Sequence, residues 1–163
     1  MRAAVFEDVG VLSIKKVERP QIERPDHVLI EVELCSICGT DVHIMNDPPG
    51  YIATKGTILG HELVGKIIEV GEEVTTVKPG DRVVVNPNDY CGACSYCKNN
   101  LPNFCENIEA MGIDVDGGFA EIVRTSEKVV FKISEDVPAG VAAFAEPLAC
   151  LLNGTEKIRI QPS

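Results

Sequence analysis

Leu63-Val64-Gly65-Lys66-Ile67-Ile68-Glu69-Val70-Gly71, then Val77-Lys78-Pro79-Gly80-Asp81, then Arg82-Val83-Val84-Val85: this stretch decides the fold. Apolar, β-branched residues crowd both outer runs, and Gly71 ends the first. Pro79 presets φ and Gly80 supplies a positive φ, so residues 77–81 predict a tight turn into a second strand. The same pattern extends outward. Arg2–Phe6, Val11–Val17 and Val28–Leu34 read as strands, with Pro20 and Pro25 punctuating the connection. Gly118–Val123 and Lys128–Ile133 read as a further strand pair. Many short strands at this spacing predict a mainly β, barrel-like body with short helices. Helical patterning comes late, at Ala139–Phe144 and Leu148–Leu152, with Asn153-Gly154 as the expected stop.

A chain of 163 residues, 45% apolar and 25% charged, suits one globular domain and is too apolar for disorder. Its net charge of −10 repels phosphate backbones and anionic membranes, which argues against a nucleic-acid or membrane-surface partner. The longest apolar candidate, Val137 to Leu152, is broken by Pro138, Gly140 and Glu146-Pro147, so no membrane-spanning helix is expected. Glu7 and Asp8 arrive before any apolar core of useful length, unlike a secretory signal. The expected location is therefore the reducing cytoplasm, where a chain with 7 cysteines uses them more readily as metal ligands than as disulfides.

Cys91-Gly92-Ala93-Cys94-Ser95-Tyr96-Cys97 runs on through seven residues to Cys105. Thiolates two residues apart in a turn can converge on one tetrahedral Zn²⁺. Gly92 lets the backbone fold tightly, and Pro87, Asn88 and Pro102 keep residues 86–106 out of regular structure. Four thiolates leave the ion with a net negative charge, so the site is closed and structural rather than Lewis acidic. An iron–sulfur cluster would want a shorter last gap and a following proline, whereas Glu106 follows Cys105. Two disulfides would require an oxidising compartment.

A second ligand set is open. Cys38-Gly39-Thr40-Asp41-Val42-His43 lies beyond a strand, and Gly60-His61-Glu62 lies just ahead of Leu63. One thiolate, one imidazole and one carboxylate around Zn²⁺ sum to zero charge, and a fourth position stays free for water or an alkoxide. Taken singly, Cys38 also fits a small buried hydrophobe and His61 a satisfied core histidine.

Cys38-Gly39-Thr40-Asp41-x-His43, Gly60-His61-Glu62-x-x-Gly65, Gly80-Asp81-Arg82-Val83, the cysteine lobe and Gly118-Phe119-Ala120-Glu121 occur in this order. Together they resemble the zinc-dependent medium-chain alcohol dehydrogenases, and most closely the polyol (sorbitol/iditol) and threonine dehydrogenase branch. The resemblance covers essentially the whole chain. It implies a GroES-like β-barrel catalytic domain over residues 1–153, with a structural zinc lobe at 86–106. It implies two Zn²⁺ ions, one catalytic and one structural. Cys38 and His61 match ligands of the catalytic zinc, and Glu62 matches the acid beside the zinc histidine. Asp41 matches the carboxylate that orients that histidine, a role it shares with the alternative of a helix cap. Thr40 matches the hydroxyl that accepts the substrate proton, and His43 the relay to solvent, unless it is simply an exposed residue. Glu146-Pro147-Leu148 resembles the Glu-Pro-Leu motif of the polyol branch and makes Glu146 a further ligand candidate. Proline sets Glu146 at a break between helices, where a positive helix end favours its ionised form; a plain cap acid is the alternative. Whether Glu62 or Glu146 touches the metal stays open.

The remaining readings are plainer. Cys35 and Cys150 read as core thiols, and His27 as turn surface. Ile44, Met45, Tyr51 and Ile52 line the substrate side by family position. No Gly-x-Gly-x-x-Gly is present. The resemblance implies that 154–163 links to an absent Rossmann domain, and that the parent is a homodimer or homotetramer. The parent then oxidises a small alcohol or polyol with NAD(P), zinc holding the alkoxide while a hydride leaves. The isolated chain is expected to be inactive. The competing reading is a free-standing zinc-binding interaction module, for which Thr40, His43 and Glu146 would be superfluous. A zinc-ribbon nucleic-acid binder is disfavoured by the charge.

Overall fold

A computed structural model describes residues 1–158. Strands β1 (Arg2–Asp8) and β2 (Val11–Lys16) form an antiparallel hairpin. Strands β3 (His27–Ser36), β4 (Glu62–Val70) and β5 (Arg82–Val85) form the centre of a five-stranded antiparallel sheet. Its edges are β8 (Ile122–Ser126), beside β3, and β9 (Val130–Lys132), beside β5. A two-stranded ribbon, β6 (Asn88–Asp89) with β7 (Glu109–Ala110), closes the base of the cysteine lobe. Helix α1 (Gly39–Met45) follows β3, α2 (Ser95–Lys98) sits in the lobe, and α3 (Ala139–Ala142) leads into α4 (Ala145–Ile158).

The expected turn at 77–81 is present. Gly80 has φ 92°, and the Asp81 N–H donates to the Lys78 carbonyl at 3.0 Å. The expected pairing of the two late strands is not. β8 and β9 lie on opposite edges of the sheet, and only residues 127–129 join them. The four Cα–Cα steps from Ser126 to Val130 reach about 14 Å when extended, whereas five flat strands span about 19 Å. The sheet must therefore curl, and this short strap turns it into a barrel wall. Val129, 1% exposed, plugs the strap into the core of Val28, Ile30, Leu63, Ile67, Val83 and Val123.

Other details depart from the sequence reading. His27 is buried at the start of β3 opposite Ser126, because the barrel closes over what reads locally as a turn. Ile44 is wholly buried against Phe6, Ala53 and Leu59, so it belongs to the core and not to a substrate wall. Cys150 is exposed on α4 rather than in the core. Asn153-Gly154 does not stop that helix, which runs on to Ile158. Gly154 does not take the positive φ that a glycine stop uses, and Thr155 Oγ1 donates back to the Leu152 carbonyl at 2.9 Å. Among the described residues no helix is long and apolar enough to cross a membrane.

Candidate metal centres

The register of β3 on β4 builds the open centre. Ser36, the last residue of β3, pairs with Glu62, the first of β4. Cys38, two residues beyond one strand, and His61, one residue before the other, must then meet at the same end of the sheet. Ligand atoms of Cys38, His61 and Glu62 all lie within 4.8 Å of one another. His61 and Glu62 are each 7% exposed. Gly60 approaches this end at φ 93°, with its carbonyl accepting from the Gly118 N–H at 2.8 Å. A β-carbon there would lie 2.5 Å from the Phe119 ring, so the Gly118-Phe119 segment clamps the histidine loop.

Asp41 faces both the start of α1 and His61. Its Oδ2 accepts from the Cys38 N–H at 2.8 Å and completes a capping box on α1. Its Oδ1 lies 3.6 Å from His61 Nδ1. These two atoms are buried and otherwise unpartnered. Facing Nδ1 to a carboxylate leaves Nε2 as the ligating nitrogen, which is how a metal-binding imidazole is usually oriented. Burial lifts the Asp41 carboxyl above its ordinary range, against the Cys38 amide and His61, which pull it down. A half-buried thiol with a buried imidazole and two buried carboxyls is an expensive group to leave unpaired. The donor set suits a divalent cation of borderline softness, and Zn²⁺ fits it.

Thr40 and His43 follow on α1, one turn apart. The Thr40 hydroxyl is 3.7 Å from Cys38 Sγ, which places it at the rim of the centre. His43 is exposed and packs against the loop at Gly50, whose N–H donates to the His43 carbonyl at 2.9 Å. Glu146 stands apart from the Cys38–His61–Glu62 group. It lies in the first turn of α4, just past the break after α3, and its Oε1 accepts from Cys150 Sγ at 3.1 Å. That carboxylate, with burial and with Cys38 and Glu62 nearby, pushes the Cys150 thiol up to about 11.

The closed centre is as different chemically as its charge suggests. Ligand atoms of Cys91, Cys94, Cys97 and Cys105 lie within 4.8 Å of one another, and all are free thiols. Amides of Ala93 and Cys94 donate to Cys91 Sγ, each at 3.4 Å, and draw that thiol down to about 6. Amides of Cys91 and Asn107 donate to Cys105 Sγ at 3.3 and 3.4 Å. Backbone N–H groups aimed at sulfur favour thiolate, the form that binds zinc.

Residues 24–135 match the alcohol dehydrogenase GroES-like domain. The chain belongs to the zinc-dependent alcohol dehydrogenase family. It is 39% identical to D-arabinitol dehydrogenase 1 of Uromyces fabae over 162 residues, 99% of this chain and 45% of that relative. It is 41% identical to an L-threonine 3-dehydrogenase of Caldanaerobacter subterraneus subsp. tengcongensis, over 83% of this chain and 39% of that one. A zinc-binding dehydrogenase of Sinorhizobium meliloti 1021, solved with NADP bound, superposes with a TM-score of 0.87 at 40% identity. That match covers 95% of this chain and 44% of that one. The chain thus spans less than half the length of these relatives.

For this alcohol dehydrogenase domain, two contacts lie outside the motifs read from the sequence. Cys150 gives no signal of its own, because one cysteine in an apolar helix reads as core; only its position four residues after Glu146 marks it. Phe119 reads as a strand residue, and its role under Gly60 emerges only when β1 and the 118–120 segment are joined through the Ala3–Ala120 bridge.

Proposed function

We propose that this chain is the zinc-bearing catalytic portion of an NAD(P)-dependent alcohol or polyol dehydrogenase. Residues 1–153 form the catalytic domain, and the last turns of α4, through Ile158, lead toward a cofactor-binding portion; the rest of the expected 154–163 link lies outside the described residues. The observation that carries the reading is the largely buried, charge-balanced Cys38–His61–Glu62 group, its imidazole facing Asp41 at 3.6 Å, set beside a threonine hydroxyl. A purely structural site needs neither the neutral donor set nor the hydroxyl.

Each side chain has a task. Cys38, His61 and Glu62 would hold the metal, and Glu146 is the second acid within reach of it. Bound there, Zn²⁺ supplies Lewis acidity toward the substrate oxygen. Thr40 accepts the hydroxyl proton of the alcohol, and because a neutral hydroxyl is a weak base it passes that proton on, with His43 as the outlet to solvent. Asp41 keeps the His61 tautomer fixed throughout. The exposed apolar row Val141, Phe144, Leu148, Leu151 and Leu152 supports a longer parent, since such a surface suits the cofactor-binding portion better than water. The small-molecule substrate is a secondary alcohol or polyol, and the partners are further copies of the parent in a dimer or tetramer.

Ligand binding at a cobalt-substituted open centre tests this reading. With the lobe filled by Zn²⁺, titration with imidazole and with small secondary alcohols is expected to shift the visible cobalt bands, weakly but saturably. His61→Ala removes the response. The same chain is expected to show no specific heat with NAD, since its sequence holds no Gly-x-Gly-x-x-Gly turn. Cobalt bands unresponsive to every alcohol and to imidazole would favour an interaction module instead, and micromolar NAD binding would contradict the division of labour.

A further inference from the structure

Glu146 and Cys150 stand one helical turn apart on α4, and the thiol donates to Glu146 Oε1 at 3.1 Å. The carboxylate so engaged is absent from the group formed by Cys38, His61 and Glu62. Yet Ala145, the residue before Glu146, packs against the cluster that holds Val64, two residues along β4 from Glu62, so the pair sits near that group rather than on a remote face. No cation approaches Glu146 among the ion pairs of the described residues. The thiol is its one side-chain hydrogen-bond donor among them.

We propose that Cys150 is a positioning residue for the metal centre: its S–H···Oε1 bond holds Glu146 turned along α4 and away from the metal, so that Glu146 joins the centre only when this bond breaks. The proposal rests on the reading of Glu146 as an acid that can reach the metal. The physics is a competition for one carboxylate. A thiol is a weak donor, and a single hydrogen bond to a charged acceptor is modest in net strength, so the hold is reversible. Glu62 then serves as the resting carboxylate. Exchange of Glu62 for Glu146 costs little, because the charge at the centre is unchanged.

The side-chain environment makes the test clean. Cys150 is exposed on a helix, so alanine there removes the thiol without opening a core cavity and favours the helix. The measurement is Co²⁺ affinity and visible spectrum at the open centre of the whole chain, with Zn²⁺ kept in the lobe. Cys150→Ala is expected to tighten Co²⁺ binding about five- to tenfold and to change the intensity of the cobalt bands. Cys150→Ser, which keeps a donor at the same place, stays within about twofold of the parent. Adding Glu146→Gln to Cys150→Ala abolishes the gain. If Cys150→Ala leaves affinity and spectrum unchanged while Glu146→Gln alone weakens binding, the latch is wrong and the metal role of Glu146 stands. If Glu146→Gln is silent in both backgrounds, both are wrong.

Discussion

Asp41 shows how much one carboxylate carries. Its two oxygens serve two donors: Oδ2 caps α1 through the Cys38 amide, and Oδ1 faces His61 Nδ1. Asparagine has a single acceptor oxygen and cannot serve both. Asp41→Asn is therefore expected to weaken metal binding at the open centre by about 10- to 100-fold, with a stability loss of only ~1 kcal/mol. Competition with a chelator measures the first quantity and urea unfolding the second. Metal affinity equal to the parent would show that His61 needs no orienting partner. In sequence terms Asp41 was legible as a choice between cap and orienting acid. Its facing both the cap and His61 follows from the meeting of α1 with the 60–61 loop, a contact between segments some twenty residues apart that no local pattern encodes.

At the scale of elements, legibility tracks how much each segment depends on its neighbours. β4, the 77–81 turn and β5 were readable because β-branched runs and a Pro-Gly turn specify themselves. β6 and β7 have two residues each, too few for any periodicity, and exist because the lobe must be tied at its base. α4 outran its Asn-Gly signal because one interior glycine costs a helix only ~1 kcal/mol. The lobe is the element most dependent on something outside its own sequence. From Cys91 to Phe104 no side chain is buried, and Tyr96 and Phe104 lean together at 6.0 Å while both remain exposed. So little apolar contact leaves metal binding to order it. Cys94→Ser is expected to leave the barrel folded while trypsin cuts after the exposed Lys98. A lobe that stays protease-resistant and protected from hydrogen exchange in that variant would mean that its backbone hydrogen bonds suffice.

For the molecule as a whole, the central claim is that one acidic chain of 163 residues carries two metal centres of opposite character. On this proposal one is closed by four thiolates and holds a loop. The other is charge-balanced and largely buried, and it would keep a position for a reactant. The barrel's curl and the β3–β4 register fix the second, and the lobe's own chain fixes the first, so loss of one need not empty the other. The most direct measurement is elemental analysis of protein purified without added metal, with mass-spectrometric folding control, on the parent and two variants. The parent is expected to hold about two Zn²⁺ per chain, and His61→Ala and Cys94→Ser about one each, with the open centre yielding its ion first to a chelator. Iron in place of zinc, or a folded parent with one zinc that a single variant removes entirely, would contradict the account.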